Sequence, residues 1–142
     1  MKLEKVIAVR TSKTIYRDGD YSIKVFDEGY SKSDILNEAL NIARVEETGL
    51  SIPGVESVTM VEGKWAIVTD FIEGKTLARL MAEDHENYDQ YMERLVDIQL
   101  EMHEKTAPML NKLHDKMRRK ISQTGLDATT RYELDARLHG MP

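Results

Sequence analysis

A single lysine is the residue of this sequence whose type and position most clearly indicate chemistry. Lys24 lies within the segment 21–26, most of whose other residues have the β-branched or aromatic character of a strand. A charged side chain in a strand core is unfavourable unless a counter-ion or an anionic ligand compensates the charge. We therefore expect Lys24 to be held by a carboxylate of this chain together with a phosphate group.

Glu38 is the carboxylate that we expect to face Lys24. It lies on the predicted helix that follows, beside Ile42 at the edge of the apolar stripe, so a helix packed on the sheet could bring carboxylate and ammonium together. Glu46 is a rival because it lies nearer the middle of the stripe, but it is close to the end of the helix, where a negative charge opposes the helix dipole. A second interpretation places Lys24 on a solvated edge, with only its stem packed against neighbours.

The elements that position these two residues are predicted from turn signals and from the period of the apolar residues. Strands are expected over residues 6–10, 14–17, 21–26, 55–61 and 65–71. Gly19 allows the positive φ of a tight turn, and Ser31 with Asp34 resembles a capping box that begins a helix ending before Gly49. The predicted order is three strands, one helix and two strands, which defines an α+β fold.

The second half of the sequence has helical character only. Helical periods are expected over residues 88–102, 108–124 and 127–139. No strand is predicted after Thr76. The change of composition near Gly74 therefore predicts two domains, a sheet-bearing lobe over residues 1–74 and a helical segment over residues 75–142.

Composition and charge limit the classes of function. The 142 residues carry 20 basic and 25 acidic side chains, a formal net charge of −5, so a general affinity for nucleic acid or for an anionic membrane is not expected. The sequence has no cysteine and no apolar run long enough to span a bilayer, and its N-terminus lacks the apolar core of a signal peptide. We expect a cytoplasmic protein with one substantial core.

The order and spacing of these elements resemble a known family. The segment 21–24 (Tyr-Ser-Ile-Lys), the helix with Glu38 and the segment 65–74 that leads into a linker resemble the N-terminal lobe of kinase-like small-molecule phosphotransferases, the group that contains aminoglycoside phosphotransferases and choline kinases. The resemblance implies a protein-kinase-like N-lobe, a five-stranded antiparallel sheet with one helix, followed by an incomplete helical C-terminal portion. It also implies ATP as the cofactor and transfer of the γ-phosphate to a substrate hydroxyl.

The resemblance assigns roles at the phosphate end of the site. In the family a lysine on the third strand holds the α- and β-phosphates of ATP and is oriented by a glutamate on the following helix, which implies Lys24 and Glu38 here. The glycine-rich loop that covers the phosphates in protein kinases is absent, and only the turn 11–13 (Thr-Ser-Lys) is available to wrap them. Many of the small-molecule enzymes tolerate this difference.

The resemblance also assigns four residues to the adenine. Ser22 would lie under the base, and Val68 would lie at the back of the pocket. The carbonyl of Thr69 would accept a hydrogen bond from the adenine amino group, and the amide of Phe71 would donate one to the ring. A strand that leaves a sheet into a linker exposes such backbone groups, which is what an adenine requires at the edge of an apolar slot.

The residues that perform phosphoryl transfer in this family are not found in the sequence. The catalytic His-Gly-Asp segment has a partial match at His139-Gly140, where Met141 stands in place of the aspartate, and the later metal-binding aspartate has no match. We therefore predict no catalytic and no metal-binding residue in this chain, and we expect ATP with Mg²⁺ only for a complete enzyme. A truncated enzyme is favoured over the alternative, a noncatalytic nucleotide-binding or protein-interaction module.

The resemblance implies two kinds of small-molecule partner, a nucleotide and an alcohol substrate of the amino alcohol, sugar or antibiotic type. A further partner is expected from the helical segment. Without the elements that cover these helices in the family, exposed apolar surface is expected to allow a homodimer.

Overall fold

The computed structural model describes residues 3 and 5–141, and these residues form an α+β fold, which confirms the expected class. Within them, five β-strands form one antiparallel sheet and five α-helices are present. The strands are β1 (Lys5–Arg10), β2 (Lys13–Asp18), β3 (Tyr21–Phe26), β4 (Val55–Val61) and β5 (Lys64–Asp70). The helices are α1 (Lys32–Glu46), α2 (Leu77–Glu83), α3 (Tyr88–His103), α4 (Leu113–Ser122) and α5 (Ala128–His139), and a short 3-10 turn, His85–Asn87, joins α2 to α3.

The sheet has the strand order β1-β2-β3-β5-β4, and each neighbouring pair is antiparallel. Two tight turns allow this order. Gly19 between β2 and β3 adopts a φ of 59°, and Glu62 and Gly63 between β4 and β5 adopt φ values of 50° and 79°. Consecutive positive φ values are typical of the two-residue hairpin turns whose twist matches that of the strands. The order places β3 at the centre of the sheet.

Apolar side chains are buried on both faces of the sheet. One face is covered by α1 and is called the helix face here, and its buried residues are Phe26, Ile35, Ala39 and Ile67. The buried residues of the opposite face are Ile23, Val25, Ala66 and Val68. Successive residues of a strand point to opposite faces, so β3 contributes to both clusters. The centre of the sheet is therefore shielded from solvent on two sides.

The capping predicted for α1 is confirmed. The hydroxyl of Ser31 accepts a hydrogen bond from the amide of Asp34 at 3.2 Å and donates one to its carboxylate at 2.7 Å. At the other end, the amide of Gly49 donates to the carbonyl of Glu46 at 3.0 Å, and Gly49 adopts a φ of 76° that suits glycine. These contacts fix where the helix begins and ends, and hence which of its residues face the sheet.

The structure shortens the helix predicted over residues 108–124. α4 begins only at Leu113 and ends at Ser122, while Pro108 and Met109 lie in a turn. Lys112 adopts extended backbone, with φ −65° and ψ 138°, directly before the helix. The apolar residues repeat at helical spacing over residues 108–124, but only Leu113–Ser122 form the helix.

α2 is a helix that the sequence analysis does not identify separately. Its N-cap is Thr76, whose hydroxyl accepts a hydrogen bond from the amide of Arg79 at 3.2 Å. A threonine directly before an apolar helical run is the signal that identifies such a helix. Hydrogen bonds from Lys75 and Arg79 hold the pKa of Glu83, in the last turn, below its ordinary value.

The chain packs as two compact units, Met1–Pro108 and Met109–Pro142. The first contains the sheet, α1, α2 and α3; in the second, α4 packs on α5, and Arg118 Nε lies 3.3 Å from Asp135 Oδ1. The change from strands to helices occurs between β5 and α2, at the predicted place, but inside the first unit. The domain boundary after residue 74 stays a prediction.

Helices α3, α4 and α5 leave many apolar side chains exposed. Those more than one third exposed include Tyr88, Met92, Val96, Leu100, Leu113, Met117, Tyr132 and Leu134. Among the described residues, no helix combines the length and the apolar composition that a bilayer span requires. The exposed residues are therefore spread over several short helices.

A hydrogen-bonded corner joins α2 to α3. The carboxylate of Asp84 accepts hydrogen bonds from the side chains of Asn87 at 2.9 Å and Tyr91 at 2.8 Å. These bonds, that from Asn87 first, hold the pKa of Asp84 below its ordinary value, and the bond to Asp84 raises the pKa of Tyr91. A carboxyl with a lowered folded-state pKa stabilises the fold above its unfolded-state pKa, and the contribution is lost as the pH falls through the folded-state pKa.

We expect Tyr91→Phe to raise the pKa of Asp84 towards its ordinary value, because the substitution removes one of the two side-chain donors. An NMR titration of the Asp84 carboxyl carbon measures this pKa. Tyr88→Phe, which removes a hydroxyl from the first residue of α3, is the matched control and should leave the pKa unchanged. Equal Asp84 pKa values in Tyr91→Phe and the unmodified protein would contradict the assignment.

Candidate functional site

Lys24 reaches from the centre of the sheet to α1. In the ladder it pairs with Ile15 of β2 and Ile67 of β5, so its stem lies between two apolar neighbours. Its Nζ donates a hydrogen bond to Oε1 of Glu38 at 2.8 Å. The two side chains are 27% and 33% exposed, so solvent reaches the charged ends without surrounding them. The predicted contact between Lys24 and Glu38 is confirmed, and the alternative of a solvated edge lysine is wrong for this central strand.

A second lysine contacts the same carboxylate. Nζ of Lys13, at the start of β2, lies 4.0 Å from Oε1 of Glu38 and 5.5 Å from the ring centroid of Phe26. Lys13, Lys24 and Glu38 are called the lysine cluster here. Local sequence places Lys13 only in the turn available to wrap the phosphates, because its place in the sheet depends on the register of β2 against β3. The structure pairs Lys13 with Phe26, which puts it on the helix face with Lys24.

The turn before β2 is held in place by the segment between β3 and α1. The carbonyl of Ser12 accepts a hydrogen bond from the amide of Asp27 at 3.1 Å, and the hydroxyls of Ser12 and Tyr30 lie 3.1 Å apart. The ring of Tyr30 in turn packs 5.1 Å from that of Phe26, measured between centroids. These contacts fix the start of β2, and with it the position of Lys13.

Glu46, the rival for Lys24, serves a different purpose. Its Oε1 accepts a hydrogen bond from the amide of Val55 at 2.7 Å, which fixes the first residue of β4. The amide of Gly54, the residue before Val55, donates a hydrogen bond to the carboxylate of Asp70 at 3.0 Å. Glu46 therefore positions the sheet edge, and Glu38 is the carboxylate that faces the central strand.

Ser22 and Thr69 share the face of Lys24, and Val68 does not. The register pairs Ser22 with Thr69, two residues from Lys24, while Val68 pairs with Ile23 and is buried on the opposite face. The geometry therefore does not place the Val68 side chain in a pocket beside Lys24. Because the period of a strand is two, a shift of one residue moves a side chain to the other face. The β5 residue that faces the Ser22 side is Thr69.

The backbone groups predicted to bind the base are also engaged within the chain. The amide of Phe71 donates to the carbonyl of Asp20 at 2.8 Å. Thr69 pairs with Ser22 on one side and Val55 on the other, so its backbone lies inside the sheet. Backbone groups that could bind a ligand begin beyond β5. The first such amide is that of Ile72, for which no hydrogen bond is found among the residues that the structure describes.

Arg17 is a site residue candidate that the sequence analysis does not single out. Its guanidinium lies 4.0 Å from the ring centroid of Phe71, and its Nη1 lies 3.7 Å from the carboxylate of Glu73. Its Nε also donates to the carbonyl of Gly19 at 2.9 Å. Arg17 pairs with Ser22 and so lies on the helix face. These contacts position the segment that follows β5. Local sequence gives no signal that a residue of β2 contacts this segment.

The opposite face of the sheet carries a cavity of different character. It has a volume of about 270 Å³ and is lined by Asp18, Tyr21, Ile23, Glu56, Ser57 and Val68. Two of these side chains are carboxylates and none is basic, so the cavity is unsuited to phosphate groups. The lysine cluster on the helix face has the charge that a phosphate requires.

Comparison of this chain with protein-family models, with curated proteins and with solved structures finds no match. Inferences about function therefore rest on the geometry of the site. Within residues 3 and 5–141, no group of three or more histidine, aspartate or glutamate side chains is arranged to hold a metal ion. The described residues thus offer ammonium groups for an anion and no protein cage for a cation.

We expect Glu38→Gln to lower the free energy of unfolding by less than about 1 kcal/mol, because an ion pair that solvent reaches contributes little to stability. Ile35→Ala, one turn earlier on the same helix and fully buried, should lower it by about 2–5 kcal/mol. Urea unfolding of the two variants measures both effects. If Glu38→Gln lowered the free energy of unfolding as much as Ile35→Ala, the contact between Lys24 and Glu38 would be required for stability, which would contradict this expectation.

Proposed function

We propose that this chain is the nucleotide-binding portion of a kinase-like small-molecule phosphotransferase, which in its complete form transfers the γ-phosphate of ATP to a substrate hydroxyl. The observation that carries the proposal is the 2.8 Å contact between Nζ of Lys24 on the third strand and Oε1 of Glu38 on the following helix. Protein kinases use a lysine and a glutamate on the corresponding elements to hold the phosphates of ATP. The order of strands and helix up to β5 supports the same proposal.

The electrostatics of the site support a phosphate ligand. Lys24 is oriented by Glu38, and the second ammonium of Lys13 lies near the same carboxylate, so the lysine cluster has a net positive charge at neutral pH. The partial burial of these groups reduces screening by solvent, which strengthens their attraction for an anion. A local positive cluster of this kind is compatible with an acidic chain because the attraction acts over a short distance.

For the adenine, we propose a site displaced by one residue from the one that the family resemblance implies. Ser22 and Thr69 face the side of Lys24, so the Thr69 side chain replaces Val68 beside the base. The amide of Ile72 replaces that of Phe71 as the backbone donor, because the Phe71 amide is bonded to Asp20. Ile72 is 60% exposed in the segment between β5 and α2.

Turnover is not part of the proposal for these 142 residues. Phosphoryl transfer requires a carboxylate that orients the acceptor hydroxyl and ligands for the metal ions that neutralise the transferring group. The sequence offers Met141 after His139-Gly140 instead of an aspartate. ATP binding through the phosphates is therefore proposed for this chain, and Mg²⁺, the alcohol substrate and catalysis for the complete enzyme.

A protein-interaction module is the second candidate. The observation that favours it is the set of exposed apolar side chains on α3, α4 and α5, which a partner or a second copy of this chain would cover. This candidate predicts self-association or partner binding that does not depend on Lys24. The net charge of −5 argues against nucleic acid or an anionic membrane as that partner.

We expect Lys24→Met to weaken the binding of Mg-ATP by about tenfold or more, because the substitution removes a charge-assisted hydrogen bond to phosphate and keeps the apolar stem. Isothermal titration calorimetry on the full chain measures the affinity. Lys75→Met is the matched control, since Lys75 also donates to a carboxylate, that of Glu83 at 2.6 Å, but lies outside the sheet. Its affinity for Mg-ATP should equal that of the unmodified protein.

Two results would contradict the nucleotide proposal. One is an unmodified protein that does not bind Mg-ATP at millimolar concentration. The other is equal affinity in Lys24→Met and Lys75→Met, which would show that the nucleotide binds elsewhere. Dimer formation that persists in both variants, measured by light scattering after size exclusion, would then support the interaction module.

A further inference from the structure

Lys13 brings a second ammonium group to the contact between Lys24 and Glu38. It is the first residue of β2, its side chain is 29% exposed, and its ammonium approaches the carboxylate that already binds Lys24. The two lysines are diagonal neighbours in the sheet, since Lys13 pairs with Phe26 and Lys24 pairs with Ile15. The Lys13 ammonium also lies 5.5 Å from the ring centroid of Phe26, a cation–π distance, so both of its contacts involve the charge at the end of the side chain.

The lysine cluster has two positive groups and one negative group. Nζ of Lys24 is 2.8 Å from Oε1 of Glu38, and Nζ of Lys13 is 4.0 Å from the same atom. One carboxylate therefore acts as counter-ion to both ammonium groups, which repel each other. An anion that contacts both nitrogens would remove this imbalance.

We propose that Lys13 is a second phosphate-contacting residue, so that the lysine cluster binds a chain of two or more phosphates. This inference rests on the proposed function for the identity of the natural ligand. Lys24 and Lys13 each contact a different phosphate of the chain, and Glu38 holds both ammonium groups on one side of it. A side chain from β2 thereby performs the task that backbone amides of a glycine-rich loop perform in protein kinases, a loop that the turn before β2 lacks.

The position of Lys13 is fixed well enough for this role. Its strand is held by the ladder to β3, and the turn before it is held by the hydrogen bonds of Ser12 to Asp27 and Tyr30. A cation on such a support loses less conformational freedom on binding than one on a mobile loop. Because Lys13 and Lys24 lie on neighbouring strands of one sheet, the ladder sets the spacing of their Cα atoms.

The test uses sodium tripolyphosphate, Mg-ATP and adenosine as probes in calorimetry on the full chain. Lys13→Met should weaken binding of tripolyphosphate and of Mg-ATP by about tenfold, because each loses a charge-assisted contact, and should leave adenosine binding unchanged. Lys13→Arg, which keeps the charge, should retain most of the affinity for both polyphosphates.

The chain offers a matched control in Lys32→Met. Nζ of Lys32 lies 5.4 Å from the ring centroid of Trp65, much as that of Lys13 lies 5.5 Å from Phe26, so both variants remove one charge and one ring contact. Lys32 precedes Glu38 by six residues, about 9 Å along the helix axis. Lys32→Met should therefore change the affinity for tripolyphosphate and for Mg-ATP by less than twofold. Equal effects of Lys13→Met and Lys32→Met would overturn the inference.

The probes separate the failure of this inference from the failure of the proposed function. Binding of Mg-ATP that depends on Lys24 but not on Lys13 overturns the inference and leaves the proposed function standing. A third outcome is that tripolyphosphate binds in a way that depends on Lys13, Mg-ATP binds no more tightly than tripolyphosphate, and adenosine does not bind. This outcome supports the polyphosphate site and overturns the assignment to ATP. An unmodified protein that binds neither tripolyphosphate nor Mg-ATP overturns both.

Discussion

The central strand β3 is buried on both faces, and this constraint determines how the site is built. A residue of such a strand must either pack against apolar neighbours or carry its polar group to a partner outside the sheet. Phe26 packs against Ile35 and Ile67, and this contact fixes the rotation of α1 over the helix face. Since Glu38 follows Ile35 by three residues, the same packing turns its carboxylate towards Lys24. The geometry of the ion pair is thus a consequence of the apolar core beside it.

Stability does not explain why a lysine occupies this position. An ion pair at the observed exposure contributes at most about 1 kcal/mol, in addition to the packing of the Lys24 stem between Ile15 and Ile67. An aliphatic residue would supply that packing without a charge. Lys13 adds a second positive charge beside Lys24, and no further carboxylate among the described residues compensates it. Local departures from the rules of folding are expected at functional sites, and an anionic ligand gives this one a physical reason.

The sequence predicts the parts of the structure that depend on local signals. The α+β class, the order of strands and α1, the Ser31 cap and the Lys24–Glu38 contact all follow from turn residues, from period and from the direction of side chains on a helix. What it does not predict depends on contacts distant in sequence. The approach of Lys13 to Glu38 requires the register of β2 on β3, and the contact of Arg17 with Phe71 requires the linker after β5 to return to β2. Neither has a local signal.

The residues available to the proposed adenine site depend on the pairing of β5 and not only on the position of that strand in the sequence. β5 is predicted over residues 65–71 and observed over Lys64–Asp70, a difference of one residue at each end. The face to which a strand residue points follows from its pairing and not from where the strand begins or ends. The pairing of β5 with β3 places Val68 in the cluster of the opposite face and Thr69 on the side of Lys24. The amide of Phe71, directly after β5, is bonded to the carbonyl of Asp20, whereas no hydrogen bond of the Ile72 amide is found among the described residues. The edge of the base would then meet a hydroxyl-bearing side chain rather than an aliphatic one, and a pocket of that kind favours a ligand with a polar edge over a purely apolar molecule of the same shape.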